Sequence, residues 1–246
     1  TVLSRGLGDV YKRQDLYLES IKMDSFSKSD FEKRFTINNI ELLNKYFKQG
    51  QSVVFMCSHY SGYEWCACLP YFIKHNFLAV YTPVKNKYIN DFMKKSRSRH
   101  GLALISRYDA LKKISILEKK NKKPHLYGLV ADQSPQIRTN NYWSKFLGVK
   151  VPVFTGSERI AKKYDLPVVY GKMKKIKRGY YSLEFKLIVE NPNNYKDFEI
   201  TEKYLRLVEN QLHEDPHPYL WTHNRFKHMD LSLIHISEPT IQDRIS

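Results

Sequence analysis

The feature that most constrains this chain is a repeated change of hydrophobic period between Ser52 and Ala131. SVVFMCS, Ser52 to Ser58, is β-branched, apolar and of strand length, which predicts a strand buried on both faces and ending at His59. Ser61-Gly62 then leads into an apolar helix through Trp65, Ala67, Leu69, Phe72 and Ile73, with Pro70 as a kink or early end. The alternation continues with a strand near Leu78 to Thr82, a basic helix near Asn86 to His100 and a strand near Leu102 to Ile105. A helix near Asp109 to Lys120 and a strand near Leu126 to Ala131 complete it. The βαβαβ order from Leu78 to Ala131 predicts, with the strand and helix before it, a single α/β domain: a central, mostly parallel or mixed β-sheet with helices on both faces.

The flanking segments extend this frame. Ser29 with Glu32, and Asn38 with Glu41, have capping-box spacing, and the second opens a helix that Gly50 closes. Asp132 to Pro152 is polar, punctuated by Gly and Pro, and reads as a long functional loop. Thr155 and Glu158 cap a further helix. Val168 to Lys175 and Tyr180 to Val189 flank Arg178-Gly179 as a β-hairpin, and a last helix runs from Thr201 to Leu212.

With 42% apolar residues, 18 Tyr, 13 Phe and 3 Trp, the chain is not disordered, and its 246 residues suit one large domain. Its net charge of +16 gives a surface that attracts phosphates, anionic headgroups or an acidic partner. Cys57, Cys66 and Cys68 lack the paired spacing of zinc or redox sites and read as small buried hydrophobes, so no metal is expected. The longest apolar runs are too short to span a bilayer.

Both ends read as foreign. Ser4 to Gln14, SRGLGDVYKRQ, can be encoded by DNA whose opposite strand reads LSLIHISEPTR, and LSLIHISEPT stands at Leu231 to Thr240. Folding physics does not generate complementary-strand matches, and the DNA resembles a sequencing-library transposase adapter. Residues 1–14 and 231–246 are therefore expected to be translated adapter, with residues 15–230 as the domain and any native N-terminal anchor lost. Genomic reads that continue through these codons without a junction would refute this.

Ligands of an open α/β sheet bind beyond the carboxyl ends of its strands, and His59 stands at such an end. Glu64, five positions on, is expected in the first turn of the next helix, where it can bond the imidazole and fix its tautomer. A His–carboxylate pair without a nucleophilic side chain suits direct attack by a substrate hydroxyl. The same helix start offers free N–H groups to a phosphate or oxyanion. The ordinary alternative is a bonded core histidine beside a helix-start carboxylate.

HYSGYEW fits the HxxxxE/D motif of the glycerolipid acyltransferase superfamily and resembles in particular the lauroyl/myristoyl acyltransferases of bacterial lipid A biosynthesis. Further blocks of that family are resembled in order by GLALISR (Gly101 to Arg107), ADQSP (Ala131 to Pro135), FLG with VPVFTGSERIAKKYDLPVV, and LWTHNRFK (Leu220 to Lys227). The resemblance implies a central sheet wrapped by helices, an acyl carrier protein thioester or coenzyme A as donor, a phosphorylated glycolipid acceptor, and no bound cofactor. It makes His59 the general base and Glu64 its orienting partner. It also implies attachment to the cytoplasmic face of the bacterial inner membrane.

Arg107, Arg97 and Arg99 are candidates to grip acceptor phosphate, against the alternative of a solvated basic face. Asp132 is a candidate for the site, against a turn-initiating Asx role. Trp221 is expected to pack and Arg225 to reach phosphate. The basic clusters at 94–99 and 172–178 suit an anionic leaflet or an acidic carrier protein. Other acceptors in the same class are a phosphatidylinositol mannoside, a lysophospholipid and an amino-acid lipid. An inactive lipid-binding member is opposed by the intact HxxxxE. A nucleic-acid-binding protein has only the charge in its favour, without zinc-finger, RNP or helix-turn-helix signals, so no nucleic acid is expected.

Overall fold

The computed structural model describes residues 14–120, 123–229 and 231. The two segments assigned to adapter, 1–14 and 231–246, lie outside the described residues apart from residues 14 and 231. Helix α1 (described over residues 14–23) is followed by α2 (Lys28–Arg34), β1 (Phe35–Asn38) and α3 (Glu41–Lys48). The predicted alternation appears as β2 (Val53–Cys57), a 3-10 helix (Tyr63–Tyr71), β3 (Asn76–Tyr81), α4 (Lys87–Ser98), β4 (Ala103–Ser106), α5 (Ala110–Lys120) and β5 (His125–Val130). Then come β6 (Tyr142–Phe146), β7 (Val149–Val153), α6 (Gly156–Tyr164), β8 (Val168–Lys177), β9 (Tyr180–Val189) and α7 (Glu199–Glu214).

Seven strands form one mixed sheet in the order β1-β9-β8-β2-β5-β3-β4. The five from β8 to β4 are parallel, and β9 turns back on β8, carrying β1 parallel to itself. Strand β2 is central, which is why all five of its residues are buried and its sequence shows no polar alternation. Val54 and Met56 face a core with Ile114, Ile160 and Val208 from α5, α6 and α7. Val53, Phe55 and Cys57 face another, with Phe31, Tyr46 and Trp65 from α2, α3 and the 3-10 helix.

Several local expectations differ from the structure. The helix expected after Ser61-Gly62 is a 3-10 helix, tighter than an α-helix and holding Pro70 inside it. The polar stretch 132–152 contains much of the β6–β7 hairpin, which turns on Leu147 and Gly148, both at positive φ. At the N-terminus, Ser27 and Asp30 make the capping box of α2 instead of Ser29 and Glu32. Strand β1 occupies the expected cap at Asn38, and α3 has no side-chain cap, although Gly50 at φ 69° closes its far end.

Glu158 also departs from its expected role. It is buried and, besides pairing with Lys162 of its own helix at 3.4 Å, reaches the start of α7, where its carboxylate accepts from the amides of Phe198 (2.6 Å) and Thr201 (2.9 Å) and from the Thr201 hydroxyl (2.7 Å). α7 has no cap of its own, because Phe198 is left-handed and carries no side-chain acceptor. Glu158→Ala strands those donors in the interior and is expected to cost about 2–3 kcal/mol in urea unfolding. A loss below about 0.5 kcal/mol would show the cap to be dispensable.

Candidate active site

The register of the central strands builds the site. Cys57 of β2 lies beside Val130 of β5, so two residues further along each strand His59 and Asp132 leave the sheet together. The Asp132 carboxylate, wholly buried, accepts from the His59 backbone amide at 3.0 Å and bonds its Nδ1 at 2.8 Å. A carboxylate there holds the proton on Nδ1 and leaves the Nε2 lone pair available. Nε2 has no hydrogen-bond partner among the described residues. The edge of the Tyr63 ring packs on the imidazole at 5.0 Å, and the Tyr204 hydroxyl of α7 ties down the Cys57 carbonyl at 2.8 Å.

Burial is the largest influence on the His59 ring and pushes its pKa down. The charge and hydrogen bond of Asp132, aided by Glu64, outweigh burial and leave it raised above 6.5. Asp132 is shifted the other way: burial works against its charge, but His59 and the backbone amides hold its carboxyl below the usual range.

The expected bond between Glu64 and the imidazole is therefore corrected, since the ring nitrogen belongs to Asp132. Ser61 takes a left-handed turn at φ 55° and the chain enters a 3-10 helix, which carries Glu64 to α4. There its two oxygens accept from Arg97 Nε at 2.9 Å and Nη2 at 2.6 Å, a bidentate fork. Glu64 still acts on His59 through its charge, as does Arg97 with opposite sign.

His59, Glu64, Arg97 and Arg107 all line one cavity of about 590 Å³, bounded also by residues of the sheet and the 3-10 helix. Much of the remaining lining is apolar, including Phe77, Ala79, Leu102, Leu104 and Val130, with Thr82, Gln133 and Ser134 among the polar residues. The arrangement combines an imidazole with an unengaged Nε2, a fixed guanidinium and a second cation in the lining of a largely apolar space. Such a site can take a long apolar chain with a reactive polar end.

Two of the expected phosphate contacts lie elsewhere. Arg99 is exposed and pairs with Asp24 at 3.3 Å, and it does not line the cavity. Arg225 is only 1% exposed: its Nη1 donates to Ser134 Oγ (3.1 Å) and the Pro152 carbonyl (2.9 Å), and its guanidinium lies over Phe146. That side chain braces the loop after β5 from inside, so it is not available to a phosphate. The neighbouring His223 accepts from the Ser134 amide at 3.0 Å and braces the same loop. Trp221 donates to the Pro216 carbonyl at 2.7 Å and packs on Tyr219, as expected of a packing residue. Nothing in the sequence singles out Tyr63 inside HYSGYEW, and only the packing of rings reveals its contact with His59.

A family model described as bacterial lipid A biosynthesis acyltransferase matches residues 14–228. No curated protein matches the chain.

Proposed function

The chain belongs to the bacterial lipid A biosynthesis acyltransferase family, and on that premise we propose that it moves a fatty acyl chain from a thioester to a hydroxyl of a phosphorylated glycolipid. The observation that carries this reading is the His59–Asp132 pair, with His59 in the lining of a largely apolar cavity. His59 Nε2 takes the proton of the acceptor hydroxyl as its oxygen attacks the thioester carbonyl carbon. A tetrahedral oxyanion forms, and Arg97, held by Glu64, offsets its charge. When the C–S bond breaks, the thiolate takes the proton back from the His59 imidazolium, which Asp132 stabilises meanwhile. Arg107 serves the acceptor phosphate.

The acyl chain occupies the apolar part of the cavity, whose volume falls within the roughly 300–1,000 Å³ of small-ligand sites. The donor is an acyl carrier protein or coenzyme A thioester, and the basic surface suits an acidic carrier. The reaction takes place at the cytoplasmic face of the inner membrane. No helix among the described residues is long and apolar enough to cross a membrane.

The reading is tested by incubating the purified chain with acyl thioesters and detergent-dispersed lipid A precursor and identifying the product by mass spectrometry. A precursor heavier by one acyl group, absent with a His59→Ala variant, is the expected result. Lysophospholipid acylated in its place would reassign the acceptor. Salt-sensitive nucleic-acid binding with no transfer would overturn the reading.

Ala79 on β3 gives a second test, because its side chain faces the apolar space. Ala79→Phe shortens that space and is expected to move kcat/KM in favour of shorter acyl thioesters by roughly tenfold. An unchanged chain-length profile would place the acyl chain elsewhere.

A further inference from the structure

Helix α4 is anomalous: it is 12 residues long, yet it has no buried residue. Asn86 caps it, accepting from the Ile89 amide (3.2 Å), and Asn90 accepts from the Val84 amide just before the helix (3.1 Å). One edge, through Met93 and Arg97, lines the cavity and reaches Glu64. The next strip turns outward instead of into a core: Tyr88 is 87% exposed, Ile89 and Phe92 51% each, and Val84 just before the helix 39%. Tyr88 and Phe92 are one turn apart, so they form one apolar stripe beside the cavity mouth. Lys85 just before the helix and Lys87, Lys94 and Lys95 on it are exposed, and Asp91 is the helix's only acidic residue.

We infer that α4 is a docking helix for an anionic lipid surface, its Tyr88–Ile89–Phe92 stripe inserted among the acyl chains and its lysines on the headgroups. Charge alone fits an acidic protein equally well. The stripe decides for lipid, because a helix with an apolar side and a lysine-rich polar side buries the former at a headgroup boundary. Docking there sets the cavity mouth, through Met93 and Arg97, against the leaflet that holds a lipid acceptor. The inference rests on the lipid-directed reading above. By contrast, α5 has exposed Leu111 and Ile116 and several lysines, but it buries Ala110 and Ile114 in the core and lies away from the cavity.

Co-sedimentation of the purified full chain with vesicles reads the surface directly, comparing phosphatidylglycerol mixed with phosphatidylcholine against phosphatidylcholine alone. The chain is expected to follow the anionic vesicles. The combined Tyr88→Ser, Ile89→Ser, Phe92→Ser variant is expected to bind at least about tenfold more weakly, and Leu111→Ser with Ile116→Ser to bind as the parent does. Reversing Lys85, Lys87, Lys94 and Lys95 to Glu changes only exposed groups and should produce the same loss without touching the core. A fluorophore on Tyr88→Cys should shift to the blue on anionic vesicles, since Cys57, Cys66 and Cys68 are buried and leave position 88 as the reactive thiol among the described residues. Vesicle binding unchanged in both α4 variants overturns the inference. So does loss of binding to an acyl carrier protein while vesicle binding stays intact, which would give this face to the carrier. Transfer to detergent-dispersed acceptor needs no bilayer and is measured in parallel. Activity there, with vesicle binding indifferent to the variants, defeats the docking surface alone. Absent transfer in the parent chain, with vesicle binding lost as expected in the variants, defeats the proposed reaction alone.

Discussion

His59→Ala is expected to lower the rate of acyl transfer by about 10²–10⁴-fold, the share of a rate enhancement that a positioned general base supplies. The fold should survive because one of the two bonds to Asp132 comes from the His59 backbone amide, at 3.0 Å, and an alanine keeps it. The ring itself closes no core layer: its side chain is 19% accessible and opens on the cavity. The measurement is the initial rate with saturating thioester, beside a thermal melt to confirm folding. A folded variant with parental turnover would remove His59 from the chemistry.

The second large effect is at Asp132. Asparagine keeps the volume, and its carbonyl oxygen can still accept from the His59 amide, but its NH₂ group then faces Nδ1. An NH₂ cannot accept the Nδ1 proton, so the ring is pushed toward the tautomer with its proton on Nε2, where the lone pair is needed. Asp132→Asn is therefore expected to cost up to roughly 10⁴-fold in turnover, the scale seen when an orienting carboxylate is lost from a histidine base.

The pH profile gives a readout that mere loosening would not move. His59 must be neutral to act, and its pKa lies above 6.5 because Asp132 outweighs burial. Activity in the parent chain should thus fall as pH drops through an inflection on the alkaline side of 6.5. Without the carboxylate charge burial prevails, and the inflection should move to lower pH. Glu64→Gln is expected to weaken turnover through Arg97 and to shift the inflection less, since Glu64 acts on the ring through charge and not by a hydrogen bond. If Glu64→Gln moves the inflection and Asp132→Asn leaves it alone, the orienting role returns to Glu64.

Much of the fold was legible because it is encoded over short stretches of chain. The apolar run at Ser52 to Ser58 can only be a strand buried on both sides, and Gly179 at φ 72° marks the β8–β9 turn that Arg178-Gly179 announced. His59 at a strand end and Asp132 on the same sheet edge were readable in the same way. The β6–β7 hairpin was hidden because each strand is only five residues long, β7 contains a proline, and the turn places a leucine at positive φ. Nor does the sequence distinguish Arg225, sealed inside against Ser134 and Pro152, from Arg107 at the cavity.

The sequence by itself determined the order of elements from β2 to β5, the buried character of β2 and the presence of an imidazole where that strand ends. Only the tertiary structure decided that β5 lies against β2, and with it that Asp132, 73 residues away along the chain, meets the ring while Glu64 turns to Arg97. The reason is physical: periodicity and capping are set by neighbours in the chain. Strand adjacency is set by which apolar faces can be buried together, and that is a property of the whole sheet.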